Sequence, residues 1–301
     1  MSSRVVRSCW VSALLRLSLF AAVAPLVGCA TVNYGAFERV LSGESRLVEL
    51  SHPMRAGMPV MPGGEGFESV EVMSIGQEGL YVNRISMDEN TGTNLEAPAR
   101  VIANTPSVDQ LPARQFLGHG VVLDVREAVA EQPGYQVSRS DIDIWESDHS
   151  TIPQESIVLI WTGWGERWES PERYLNRDAQ GKAVYPGISA EAVEFLIRER
   201  RVHGLGIDTM SLYAGSGDEP GQRDFLMTGK FYLNNLANLD KLPARGAVIL
   251  AIPLRIEGGS GSPARVLAII PQEKTAVVPG KKRVDEGTDA GFDQSSPRMG
   301  Y

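Results

Sequence analysis

The run Glu89-Asn90-Thr91-Gly92-Thr93-Asn94-Leu95-Glu96-Ala97-Pro98-Ala99-Arg100 constrains this chain more than any other stretch. Amide, carboxylate and guanidinium side chains crowd around Gly92 and Pro98, two residues that regular strands tolerate poorly. The alternating apolar run Leu80 to Met87 precedes it and Val101-Ile102 follows. Asn90, Asn94, Glu96 and Arg100 sit at even offsets, so an extended backbone sends all four side chains to one side. The expectation is a strand end and a tight loop that converge these groups on a pocket.

The segment resembles the H-x-G-T-H-x-D-x-P-x-H signature of the cyclase superfamily, the group that includes bacterial kynurenine formamidases and isatin hydrolases. Further segments follow in that family's order: Leu50-Ser51-His52-Pro53 with Gly57-Met58-Pro59, Val108 to Pro112, Trp161-Thr162-Gly163-Trp164, Tyr185 to Ser189 and Gly206 to Thr209. Gln222 to Leu226 and Asn234 to Leu239 complete the likeness, which spans roughly Leu47 to Pro271. The resemblance implies an α/β fold of the cyclase-like swivelling β/β/α kind, with a mixed sheet in a single domain. It also implies a homo-oligomer.

The same resemblance implies a zinc or manganese site, and here the chain departs from it. The signature histidines fall on Asn90, Asn94 and Arg100, the aspartate falls on Glu96, and the remaining ligand positions read Gln222 and Asn234. Amide oxygens are weak, uncharged ligands, and Arg100 brings a fixed positive charge to the place of a metal. The expectation is therefore no metal cofactor and a pocket in which Glu96 is the catalytic candidate. Arg100, Asn90, Asn94, Gln222, Asn234 and Trp164 are the candidate contacts for a small-molecule ligand, with Trp161 and Tyr185 also available as aromatic walls. Arg100 has two readings, a structural plug locked to Glu96 or a clamp for a ligand carboxylate.

Charge and the chain ends bound the partners. The 301 residues carry 29 basic and 37 acidic side chains, net −8, with no basic cluster, which excludes nucleic acid as an expected partner. Residues 1–28 read as a lipoprotein signal peptide: Arg4 and Arg7, an apolar core from Leu17 to Val27, then Leu26-Val27-Gly28-Cys29, a lipobox with Cys29 as the lipidation site. The location that follows is the bacterial cell envelope, with the protein lipid-anchored on the periplasmic side. Residues 29–45 read as the lipidated cysteine and a linker, 46–271 as the domain, and 272–301 as a disordered polar tail.

Within the domain, alternation predicts strands at Arg46 to Leu50 and Leu80 to Met87, while continuous apolar runs predict buried ones at Gly120 to Val125 and Ser156 to Trp161. Helices are expected through Trp145, capped by Ser138 or Ser140, after a Ser189 cap with Gly204 as the stop, and over Val108 to Gln115. Strands at His203 to Ile207, Ala247 to Leu254 and Arg265 to Ile270 complete the sheet. His52 has a place near the pocket; His119, His149 and His203 read as structural, and Asp208 as a helix cap or a support behind the site. Three function classes remain: an exported amide hydrolase with altered chemistry, a lipid-anchored small-molecule receptor, or a structural protein with a filled pocket.

Overall fold

The computed structural model describes residues 39–213 and 220–271, and Cys29, the leader and the polar tail lie outside them. In chain order the strands are β1 (Ser45–Glu49), β2 (Glu68–Met73), β3 (Val82–Ser86), β4 (Asn94–Glu96), β5 (Leu117–Asp124) and β6 (Gln136–Val137). They continue with β7 (Ile157–Trp161), β8 (Gly187–Ile188), β9 (Gly204–Ile207), β10 (Phe231–Asn234), β11 (Arg245–Pro253) and β12 (Gly261–Pro271). Eight of them form one mixed sheet in the order β1-β12-β11-β5-β7-β9-β10-β4. The short β4 pairs antiparallel with β10 on one side and with β12 on the other, so the hydrogen-bonded strands close into a ring.

Closure explains the apolar runs. Ile157 and Leu159 of β7 point into the ring and meet Phe231, Leu233, Ile249 and Val266. Val158 and Ile160 point outward, under the helices Arg139–His149, Ala190–Arg198 and Pro220–Met227. A strand covered on both faces has no polar side to show, which is why β7 reads as a continuous hydrophobic segment. Gly204 and Gly206 take inward positions on β9, where a Cβ would stand 2.6 Å from the Phe231 ring and 2.7 Å from Leu236. That crowding fixes both as glycine and lets the ring close tightly.

The expected strands and the helices after Ser138 and Ser189 are present, and both serines accept a bond from the backbone N–H three residues on. Three expectations change. Gly204 does not stop the helix after Ser189, which ends at Arg198; it opens β9. Val108 to Gln115 is two short 3-10 turns, Val108–Gln110 and Ala113–Phe116, separated by Pro112, because proline ends one turn and precedes the next. Only Asn94 to Glu96 of the central motif is extended, since Gly92 takes a left-handed φ of 68° and Pro98 opens a 3-10 turn ending at Arg100. Asn90 and Arg100 therefore reach the site from turns rather than from the strand.

Candidate functional site

The loop before β4 is shaped by its backbone carbonyls. The Gly92 carbonyl accepts from Asn94 Nδ2 at 2.8 Å and from Asn235 Nδ2 at 2.6 Å. The Thr93 hydroxyl donates to the Asn235 carbonyl at 2.6 Å and accepts from the His52 N–H at 3.0 Å. Asn235 itself sits at φ 56°, a left-handed conformation that asparagine tolerates better than most residues. Glu89 ties the other end of the loop to Ser260, accepting its N–H at 2.9 Å and its hydroxyl at 2.7 Å.

Two-residue spacing puts Asn94 and Glu96 on one face of β4, and their directly opposed partners on β10 are Asn234 and Tyr232. The four side chains form a buried polar patch. Asn234 Nδ2 donates to Asn94 Oδ1 at 3.4 Å, while Asn234 Oδ1 is buried with no hydrogen-bond partner among the described residues. Burial raises the Glu96 carboxyl above the ordinary carboxylate range, and the Arg100 charge offsets this only in part. Arg100 Nε lies 3.8 Å from Glu96 Oε1, beyond hydrogen-bonding distance, and its side chain is 37% exposed.

Behind this patch is a closed set of hydrogen bonds. Asp208 accepts from the Thr162 hydroxyl at 2.6 Å and from the Thr162 N–H at 3.1 Å. Tyr174 OH lies 2.8 Å from Asn235 Oδ1 and 2.9 Å from the Asp208 carbonyl. Burial lifts the Asp208 carboxyl to about 6 despite its donors. It holds the end of β7 against β9 and also accepts from the Gly165 N–H in the first turn of the 3-10 segment Trp164–Arg167. His52 stacks on Trp168 with 4.0 Å between ring centroids, and burial depresses its imidazole to about 4, so it is neutral at physiological pH. Its Nε2 is buried without a partner among the described residues.

The structure thus gathers Asn94, Glu96, Asn234 and Arg100. Asn90 contributes its carbonyl, which accepts from Asn94 Nδ2 at 3.1 Å. Gln222 lies on the helix Pro220–Met227, which packs against the Pro98–Arg100 turn, but its side chain is outside the described residues. Trp164 is fully buried, donates its indole N–H to the Tyr174 carbonyl at 2.8 Å and is covered by the Arg167 guanidinium at 3.6 Å. It supports the wall and has no ring face left for a ligand. Asn235, Thr93, Tyr174 and Tyr232 were not singled out by the sequence reading. Only Asn235 had a signal, standing beside a ligand position in a turn-forming Asn-Asn pair.

Comparison with known proteins agrees with the fold. The profile of the Cyclase family matches residues 48–213. Isatin hydrolase from Roseibium aggregatum is 30% identical over 256 residues, covering 79% of this chain and 97% of that protein. Kynurenine formamidase from Paracidovorax citrulli is 23% identical over 235 residues, 75% of this chain and 97% of that protein. A crystal structure of an isatin hydrolase bound to the product analogue thioisatinate superposes with a TM-score of 0.74 at 28% identity, covering 79% of this chain and 97% of that one.

Proposed function

As this chain belongs to the cyclase family, we propose that it keeps the family pocket for a small amide or carboxylate and works in it without a metal ion. The reading rests on the Glu96–Arg100 geometry. A structural plug calls for a close, bidentate pair, yet the Arg100 guanidinium makes no hydrogen bond among the described residues and stands 3.8 Å from its carboxylate. Its planar fork of donors is free to take a carboxylate or a polarised carbonyl. Asn234 Oδ1, buried and unpartnered, is an acceptor for a ligand N–H.

The donor set fits a divalent ion poorly. Asn94 Oδ1 is directed at Asn234, Asn94 Nδ2 is committed to two carbonyls, and the one carboxylate on the patch shares its surroundings with a guanidinium. Hydrolysis then has to run on side chains alone. Glu96, whose carboxylate burial makes more basic than usual, takes a proton from water as the water oxygen attacks the carbonyl carbon. Arg100 carries the charge that develops on the carbonyl oxygen, the C–N bond breaks, and the proton passes to the departing nitrogen. The names isatin hydrolase and kynurenine formamidase make small aromatic substrates the first to try. The lipobox supports attachment of the domain to the cell envelope through Cys29.

The test is a pair of measurements on one preparation. Thioisatinate is expected to raise the melting temperature of the protein and of Glu96→Gln but not of Arg100→Ala, and isatin hydrolysis, where present, is expected to vanish in Glu96→Gln. Elemental analysis should find no stoichiometric zinc or manganese. One metal per chain overturns the metal-independent reading, and ligand stabilisation retained in Arg100→Ala overturns the role of Arg100.

A further inference from the structure

His52, Met54 and Met87 line one groove of about 620 Å³ whose other walls are mostly apolar, Ile252 and Leu254 among them. Among the described residues that line it, none belongs to the Glu96 patch. The three side chains are brought together by the Gly92-Thr93 turn. His52 donates its backbone N–H to the Thr93 hydroxyl at 3.0 Å. At the preceding residue, a Cβ on Gly92 would stand 3.6 Å from the methyl carbon of Met54 and 3.6 Å from that of Met58. Met87, immediately after β3, reaches the same groove from another part of the chain.

The imidazole of His52 is prepared in three ways. Stacking on Trp168 at 4.0 Å between centroids fixes the plane of the ring. Its other ring nitrogen faces the Leu236 carbonyl, which draws the imidazole proton to that side and leaves Nε2 with its lone pair. That lone pair is buried and meets no donor among the described residues. A ring tied to a backbone carbonyl through one nitrogen, with the other open, is how proteins orient a histidine toward a metal. Packing alone accounts for methionines in an apolar wall, but it leaves a buried acceptor unsatisfied at a cost in free energy.

We propose that His52 Nε2 and the thioether sulfurs of Met54 and Met87 form a binding site for one soft monovalent cation, copper(I), with silver(I) as its redox-inert analogue. Ligand type selects the ion, since thioethers favour copper(I) over harder divalent metals. Charge selects it too. All three ligands are neutral, and the carboxylate at the groove's edge, Glu49, is paired with Arg265 at 2.9 Å, so a divalent ion would bring two uncompensated charges into apolar surroundings. Cys9 and Cys29, the two cysteines of the chain, both precede the domain, which leaves thioethers as the sulfur it offers. This ion is not the zinc or manganese whose presence would overturn metal-independent chemistry at Glu96, and its site stands or falls apart from that reading.

Silver(I) titrated in chloride-free buffer into the full chain carrying Cys9→Ser and Cys29→Ser tests the site. Native mass spectrometry should find one silver ion per chain, and tryptophan fluorescence should fall with the same stoichiometry because Trp168 lies against the ligand ring. Met54→Leu, Met87→Leu and His52→Phe should each weaken binding by about tenfold or more, since each removes one donor and keeps the shape of the wall. Met73→Leu and Met227→Leu, at exposed methionines outside the groove, should leave it unchanged. A further measurement needs none of the ligand variants to fold: with methionine methyl groups labelled with carbon-13, silver should move the Met54 and Met87 signals and leave those of Met73 and Met227 in place. No silver bound at micromolar concentration, binding indifferent to the three ligand variants, displacement of silver by equimolar zinc, or unmoved Met54 and Met87 methyl signals overturns the proposal.

Discussion

Glu96 and Asp208 are both buried carboxylates whose pKa values burial has raised, and their surroundings could hardly differ more. Asp208 accepts from both the hydroxyl and the N–H of Thr162, its neighbour Tyr174 donates to Asn235, and Asn235 donates in turn to the Gly92 carbonyl. Glu96 accepts no hydrogen bond from the described residues, and its cationic neighbour stands off at 3.8 Å. A carboxylate that serves the fold is saturated. One left with unused capacity, next to an arginine and an orphaned amide oxygen in the same condition, is what the proposed ligand-binding role requires. Stability and function should therefore divide between the two layers.

The largest effect is expected where the saturated layer is cut. Asn235→Ala removes the bond to the Gly92 carbonyl, leaves Tyr174 OH without its side-chain partner and puts a Cβ-bearing residue without a compensating side chain at φ 56°. A loss of about 3 kcal/mol in urea unfolding follows from the orphaned groups and the left-handed backbone together. Glu96→Gln, by contrast, deletes a charge that burial disfavours and should cost no stability at neutral pH while abolishing any turnover. Equal destabilisation by the two substitutions would erase the distinction between the layers.

The pH dependence sharpens it further. Asp208 is raised from 3.8 to about 6, so the folded state binds its proton more tightly than the unfolded state does. Its contribution is intact below pH 3.8 and is lost as pH climbs through 6, on the order of 3 kcal/mol. His52 is lowered from 6.5 to about 4, so its contribution is intact above pH 6.5 and is lost as pH falls toward 4. The two slopes oppose each other between pH 4 and 6 and nearly cancel in the wild-type chain. Asp208→Asn should uncover stability rising from pH 4 to 6.5, and His52→Phe, which keeps the stack on Trp168, stability falling from pH 4 to 6. Parallel slopes in the two variants would show that these groups do not titrate as their burial dictates.

How much of this was legible in the sequence follows the same division. Inward and outward alternation and continuous apolar runs located β1, β5, β7, β9 and β11, because burial on one or both faces writes itself into residue type. The family motif located Asn94, Glu96, Arg100 and Asn234, and the pairing of β4 with β10 sets Asn94 opposite Asn234. Of the supporting layer, Asp208 was legible and its partners were not. Thr162, Tyr174 and Asn235 meet through contacts 46 and 61 residues apart in sequence, and nothing local in a threonine or tyrosine announces such a partner. Trp164 was misplaced as a ligand wall for a related reason: sequence shows an aromatic near the site but not which face Arg167 covers. The strand β2 was not singled out, since its residues Glu68 to Met73 alternate without any buried face to give the pattern meaning.

The smallest effect is the one that decides what Arg100 is for. If it were a plug, removing it would leave Glu96 as an unpaired buried charge, at a cost of several kcal/mol. A guanidinium at 3.8 Å on a partly exposed side chain holds its partner too loosely for that, and Glu96 has an escape in taking up a proton. Arg100→Ala is therefore expected to change unfolding free energy by less than about 1 kcal/mol at pH 7, the scale of an exposed ion pair. It should also raise the Glu96 pKa further, because the one charge that lowers it has gone. Arg100→Lys keeps that charge and loses the planar fork, so it should restore the Glu96 titration without restoring thioisatinate stabilisation. That split separates a cation needed for its charge from one needed for the geometry with which it holds a ligand.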